Sequence, residues 1–203
     1  MKIICIGLNY KDHAEEMGRP LPAEPLVFLK PDSALLKNNK PFFIPPFSDN
    51  IHYEAEIVLR ISKLGKSVAE KYAHRYYDGL TLGVDMTARD LQSSFSDAGM
   101  PWDISKSFDG AAPVGEFLTL SQTGDVDNIS FSLMKNGETV QRGNTSQLIF
   151  RFDQIISWVS RFFTLKTGDL IFTGTPAGVG PVQRNDRLTG YIGEEKVIDF
   201  LVK

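Results

Sequence analysis

The stretch Ile51-His52-Tyr53-Glu54-Ala55-Glu56-Ile57-Val58-Leu59-Arg60-Ile61 constrains this chain more than any other. Positions 53, 55, 57, 59 and 61 are all apolar, whereas 52, 54 and 56 are His, Glu and Glu. A period of two is the mark of a β-strand, and the stretch is expected to run as one strand to about Lys63-Leu64-Gly65. On its polar face Glu54 and Glu56 would stand roughly 7 Å apart at their Cα atoms, from a rise of about 3.3 Å per residue. Glutamate is depleted in strands, and neighbouring carboxylates repel; a cation between them turns that repulsion into binding. An isolated Glu-x-Glu is ordinarily the solvated face of a sheet, so its meaning depends on the rest of the chain.

Around this strand the pattern predicts a β-rich protein. Residues 1–7, 26–30 and 80–86 read as further strands, with Asp85 at the carboxyl end of the last. Residues 126–144 read as a hairpin about Asn136-Gly137, the residue pair a type I′ turn demands. Two more strands are expected near 186–192 and 195–202. Helices are expected at 11–17, 67–77 and 87–94, and at 152–163, where Ile155, Ile156, Trp158, Val159, Phe162 and Phe163 form an apolar stripe suited to a core or subunit contact. The proline-dense segment 40–47 is expected to be irregular. With strands outnumbering helices, the expected class is α+β and not doubly wound. No repeat, low-complexity tract or linker divides the chain, so residues 1–203 are expected to form a single domain.

Charge and cysteine content narrow the function. Net charge is −3 and no basic stripe occurs, which argues against nucleic acid or an anionic membrane surface as a partner. The apolar run at 1–7 is too short for a signal peptide or a membrane span. Cys5 is the only cysteine, which rules out an intramolecular disulfide and fits the reducing cytoplasm. Its place in an apolar strand makes it a packed thiol.

Four other features carry chemical potential. His13 and Glu16 are three apart on a short helix stopped by Gly18 and Pro20, so the carboxylate can orient the imidazole as a base. So short a helix is marginal by itself and reads as a lid over a ligand. Asp85 could be a functional side chain at a strand end or the N-cap of the following helix, and position alone favours the cap. Lys106 is flanked by small and aromatic residues, a setting in which a lysine needs a partner or a role. The loop Gly174-Thr175-Pro176-Ala177-Gly178-Val179-Gly180-Pro181 lacks the phosphate-loop and dinucleotide spacings, but its backbone can cradle a carboxylate.

Taken in order, six motifs resemble the fumarylacetoacetate hydrolase family, in particular its short acylpyruvate hydrolase and oxaloacetate decarboxylase branch. They are Gly7-Leu8-Asn9-Tyr10 with Asp12-His13; Phe28-Leu29-Lys30-Pro31; His52-Tyr53-Glu54-Ala55-Glu56; Asp85 to Gln92; Lys106-Ser107-Phe108; and Thr173 to Gly180. Tyr53 stands where close relatives often carry a second histidine, and it is expected to pack inward. The resemblance implies a mixed β-roll with short peripheral helices, usually a homodimer. It also implies a divalent metal held by Glu54, Glu56 and Asp85. Three carboxylates are hard oxygen donors, which favours Mg2+ or Mn2+. Arg89, Gln92 and Thr175 match the family's contacts to a small anionic keto-acid substrate, and His13, Glu16 and Lys106 its catalytic positions.

The reaction expected first is hydrolysis of a C–C bond in a 2,4-diketo acid of the acylpyruvate or fumarylpyruvate type, giving pyruvate and a carboxylic acid. His13, held by Glu16, would draw a proton from water, and Lys106 would face the pyruvate enolate. Oxaloacetate decarboxylation or tautomerisation, and 2-hydroxyhepta-2,4-diene-1,7-dioate isomerisation, share that enolate and stand as alternatives. A metal-binding protein without turnover is a remote one, disfavoured by a base placed beside the carboxylates.

Overall fold

The computed structural model describes all residues, 1–203. Its largest sheet has six strands in the spatial order Leu26–Lys30, Ile3–Gly7, Leu170–Phe172, Ala55–Ile61, Tyr77–Val84 and Leu118–Thr119. Ile3–Gly7 runs parallel to Leu170–Phe172, and the other pairings are antiparallel. A second, antiparallel sheet is ordered Glu138–Asn144, Ser130–Lys135, Arg187–Ile192 and Glu195–Leu201. The strands Arg187–Ile192 and Glu195–Leu201 pack on Tyr77–Val84 of the first sheet. Between them lies one cluster of 44 buried apolar residues, with Ile57, Leu59, Leu82, Phe172 and Leu188 at its centre. The result is strand-rich and mixed, as the patterning predicts.

The stretch from 51 to 61 is not one strand. Ile51–Tyr53 pairs with Thr87–Ala88 and Gly180–Pro181 in a small third sheet. Ala55–Ile61 pairs with Tyr77–Val84 and Leu170–Phe172 in the large one. Glu54 is the junction where the backbone changes partners, and its carbonyl accepts the Asp85 N–H at 2.8 Å. Nor is the Glu face solvated. Ile57, Val58 and Leu59 are all fully buried, because the strand is central and covered on both sides.

Several other elements differ at their edges. The expected helix at 67–77 is only a 3-10 turn, Glu70–Arg75, because the strand that follows starts at Tyr77. The helix after Asp85 is Arg89–Asp97, with Ala88 as its N-cap, so Asp85 does not cap it. Thr87–Ala88 is drawn instead into the third sheet. The hairpin turns at Asn136 and Gly137 with φ of 55° and 88°, as type I′ requires. On the Phe152–Phe162 helix the face bearing Ile155, Ile156 and Val159 is buried, while Phe162 is 55% exposed. Cys5 is fully buried and burial raises its thiol pKa, in keeping with a packed structural residue. No helix is long and apolar enough to cross a membrane.

Candidate functional site

Glu54, Glu56 and Asp85 meet at the carboxyl end of the Tyr77–Val84 strand. Each offers a carboxylate oxygen, and these oxygens lie within 4.8 Å of one another, all on buried residues. The sequence places them there by two devices. The sheet change at Glu54 sets its backbone against Asp85, and the register Glu56↔Gly83 holds the second glutamate one strand away.

Three cations answer the three carboxylates. The Lys106 Nζ donates to Glu54 Oε2 at 2.7 Å, Asp85 Oδ2 at 2.9 Å and Thr87 Oγ1 at 2.7 Å, which uses all its protons. The short helix Asp103–Lys106 delivers it, and the Phe28 ring lies 5.3 Å from its nitrogen. Lys30, at the end of its strand, pairs with Asp85 Oδ1 at 2.7 Å and donates to the carbonyls of Ala111, at 3.1 Å, and Lys106. The Arg89 guanidinium donates to Glu54 Oε1 and Gln92 Oε1.

The carboxylates do not share this support equally. Burial works against an ionised Glu54, but the charges of Lys106 and Arg89 outweigh it and hold the carboxyl well below the usual range. Lys106 is kept charged in the same way: Asp85 and Glu54 more than offset its desolvation. Glu56 forms no ion pair, and its hydrogen bond comes from the Gly174 N–H at 2.7 Å. Burial and repulsion from Asp85 and Glu54 push its carboxyl well above the usual range. A buried carboxylate without a cationic partner, beside two others, is the setting a divalent cation stabilises, and the all-oxygen donor set suits Mg2+ or Mn2+.

Against this cluster opens a cavity of about 280 Å³, lined among others by His13, Arg89, Gln92, Trp102, Lys106 and Thr175 with the three carboxylates. His13 is 5% exposed, far from the surface residue that a charged short helix suggests. Its Nδ1 lies 2.9 Å from Glu16 Oε2, and Glu16 Oε1 accepts the Gly178 N–H at 3.0 Å. The glycine-rich loop therefore cradles two of the protein's own carboxylates, Glu56 and Glu16. Thr175 Oγ1 accepts from Gln141 Nε2 at 2.9 Å and donates a long bond, 3.5 Å, to the Pro176 carbonyl.

All nine site residues expected from the sequence converge, eight of them on the cavity wall and Glu16 behind His13. Arg89 is turned onto Glu54 and Gln92 and so braces the Glu54 carboxylate. Sequence reasoning missed Lys30, Thr87, Gln141 and the function of Asn9. The Asn9 side chain donates to the carbonyls of Thr173, at 2.8 Å, and Phe150, at 3.0 Å, and accepts the Phe150 N–H, at 2.8 Å, which anchors the loop entering Gly174. A lysine closing the apolar run Leu26-Val27-Phe28-Leu29 was the available signal for Lys30. Gln141 carried none, since a glutamine in a hairpin strand is ordinary. Tyr53 is buried as expected.

A strand-rich fold that gathers three buried carboxylates, a lysine and a braced histidine on one cavity has the make-up of an enzyme site that could hold a metal ion. Comparison with known proteins gives the family. The profile of the fumarylacetoacetate (FAA) hydrolase C-terminal family matches residues 2–198, and the chain belongs to that family. It is 42% identical over 186 residues to the mitochondrial oxaloacetate tautomerase of Bos taurus, covering 92% of this chain and 84% of that protein. It is 42% identical over 183 residues to the mitochondrial oxaloacetate decarboxylase of Dictyostelium discoideum, covering 90% and 84%. Among solved structures, a fumarylpyruvate hydrolase of Pseudomonas aeruginosa in complex with Mn2+ and pyruvate superposes with a TM-score of 0.93. That match is 39% identical and covers 100% of this chain and 89% of the other. These relatives are enzymes named for different activities.

Proposed function

We propose that this protein is a divalent-cation-dependent enzyme that makes and quenches the enolate of a small 2-oxo acid, with oxaloacetate tautomerisation as its reaction. The observation that carries the proposal is the placing of the His13–Glu16 pair and of Lys106 on the same cavity as the carboxylate triad. The order expected from the sequence put hydrolysis first. The oxaloacetate activities named for relatives at 42% identity favour the reverse.

Glu54, Glu56 and Asp85 would hold Mg2+ or Mn2+, which would supply Lewis acidity toward the 2-oxo group. The protein's own groups handle the proton. The Glu16 carboxylate accepts the Nδ1 proton of His13, which leaves Nε2 as the basic nitrogen. His13 Nε2 takes a proton from the carbon next to the 2-oxo group, and the charge moves to oxygen. The Lys106 ammonium, fixed at the cavity wall by Glu54, Asp85 and Thr87, faces that charge without having to reorient. Protonation at oxygen gives the enol, and return of the proton to carbon gives the keto acid. A homodimer in the cytoplasm, built as one domain over residues 1–203, completes the proposal.

The second reading is C–C hydrolysis of an acylpyruvate, favoured by the fumarylpyruvate hydrolase likeness. There His13 Nε2 would take its proton from water instead. Both readings are tested together. With Mg2+ present, the decay of enol-oxaloacetate is followed in the ultraviolet, and pyruvate release is followed from oxaloacetate and from acetylpyruvate. Rapid enol decay that disappears in His13→Ala, without release of pyruvate, supports the tautomerase. Release from acetylpyruvate replaces it with the hydrolase, and undiminished turnover in His13→Ala removes His13 as the base.

A further inference from the structure

The cavity contains a third positive side chain that the enolate chemistry does not use. Lys106 and Arg89 are committed to the carboxylates, as described above. Arg19 lines the same cavity, is exposed, and makes no ion pair and no side-chain hydrogen bond. Asp97, from the Arg89–Asp97 helix, also lines the cavity without an ion-pair partner.

The backbone fixes Arg19 in this place. The Lys11–Glu16 helix ends with Gly18 at φ 61°, in the left-handed region. The Gly18 N–H donates to Glu15 O at 3.0 Å and the Arg19 N–H to Ala14 O at 2.9 Å. This pair of bonds is the Schellman arrangement, which reverses the chain after a helix. Its glycine takes the positive φ without the penalty a side chain would incur. The Arg19 backbone is thereby held in a fixed relation to His13, which sits on the Lys11–Glu16 helix just before it. A guanidinium with no internal partner, at a defined place on an anion-binding cavity, presents a forked donor pair suited to a carboxylate.

We propose that Arg19 is a specificity-determining residue that binds the distal carboxylate of a dicarboxylic 2-oxo acid, so that the protein selects oxaloacetate-like dianions over monocarboxylic 2-oxo acids. The proposal rests on the cavity being the 2-oxo acid site argued above. The three cations of the cluster are committed to its own carboxylates, so Arg19 is the side chain on the cavity whose positive charge is free for a second carboxylate.

The test compares oxaloacetate with 2-oxobutanoate, which has a methyl in place of the distal carboxylate. Each is titrated calorimetrically into Mg2+-loaded wild-type protein, Arg19→Gln and Arg19→Lys. Wild type is expected to bind oxaloacetate at least tenfold more tightly than 2-oxobutanoate. Arg19→Gln is expected to reduce that ratio at least tenfold while 2-oxobutanoate affinity stays within twofold, and Arg19→Lys to keep part of the preference. A ratio unchanged in Arg19→Gln, a parallel loss of both affinities, or a wild type without the preference overturns the assignment. The enol decay of oxaloacetate, measured on the same preparations, judges the activity separately. An intact, Arg19-dependent preference without turnover removes the tautomerase and keeps the anchor, whereas turnover without that preference does the reverse.

Discussion

Replacing Lys30 by Met tests whether the carboxylate cluster is held by charge. Lys30 is fully buried and methionine is an unbranched side chain one atom shorter, so the change removes a charge and leaves no large void. Asp85 is equally buried and loses its 2.7 Å partner, keeping Lys106 at 2.9 Å. Breaking a buried pair from one side costs about 3–5 kcal/mol. The Ala111 carbonyl still accepts the Met86 N–H, at 2.9 Å, so little is added there. At about 2–4 °C per kcal/mol for a chain of this size, Tm should fall by roughly 6–20 °C in protein stripped with chelator. Scanning calorimetry measures it. Adding Mg2+ should raise Tm more in Lys30→Met than in wild type, because a divalent cation supplies the positive charge that Asp85 has lost. A fall below about 2 °C on the same scale, or equal Mg2+ shifts in both proteins, refutes the reasoning.

Two further substitutions probe the surroundings of the cluster. Gly174 has φ 107°, and a Cβ there would lie 2.6 Å from the Asn9 Cβ. Gly174→Ala should cost about 1–3 kcal/mol from strain alone, and by moving its N–H from Glu56 it should weaken Mg2+ binding; a urea midpoint and calorimetric affinity like those of wild type would contradict both. His52 has its pKa pushed down to about 4, by burial first and then by the Arg89 charge, against the pull of Glu54. A histidine harder to protonate when folded favours the unfolded chain in acid, so stability should decline as pH falls from about 6.5 toward 4. His52→Gln should flatten that limb of the urea-midpoint profile, and an unchanged limb would assign it to other groups.

The sequence made the elements legible more readily than their connections. Period two found the Glu-x-Glu segment, and Asn136-Gly137 found the hairpin, because both signals are local. The break at Glu54 was hidden: Tyr53 and Ala55 continue one apolar alternation while their backbones serve different sheets. Burial of the Glu face was hidden for the same reason, since what covers a strand is supplied by residues far along the chain. Asp85 looked like a helix cap because the local pattern cannot show Thr87 and Ala88 being taken into a sheet. The site residues were found by order and resemblance. Lys30 went unassigned because its partner, Asp85, is 55 residues away in sequence and nothing local announces the pair.

The parallel pairing of Ile3–Gly7 with Leu170–Phe172 sets a timetable for folding. Lys2 and Asp169 are joined across 167 residues, and Glu16 and Gly178 across 162. Closing a loop of that size costs about 4.5 kcal/mol beyond a constant, so the cavity wall is among the last parts to close. At about 5–20 residues per second, the ribosome takes roughly 8–33 s to pass from the first strand to its parallel neighbour. During that interval Ile3, Ile4 and Ile6 present an apolar strand with one edge unpaired, a template for association with other nascent chains. Synthesis rate and chaperone supply, more than the stability of the finished fold, should then govern how much of this protein reaches its active form.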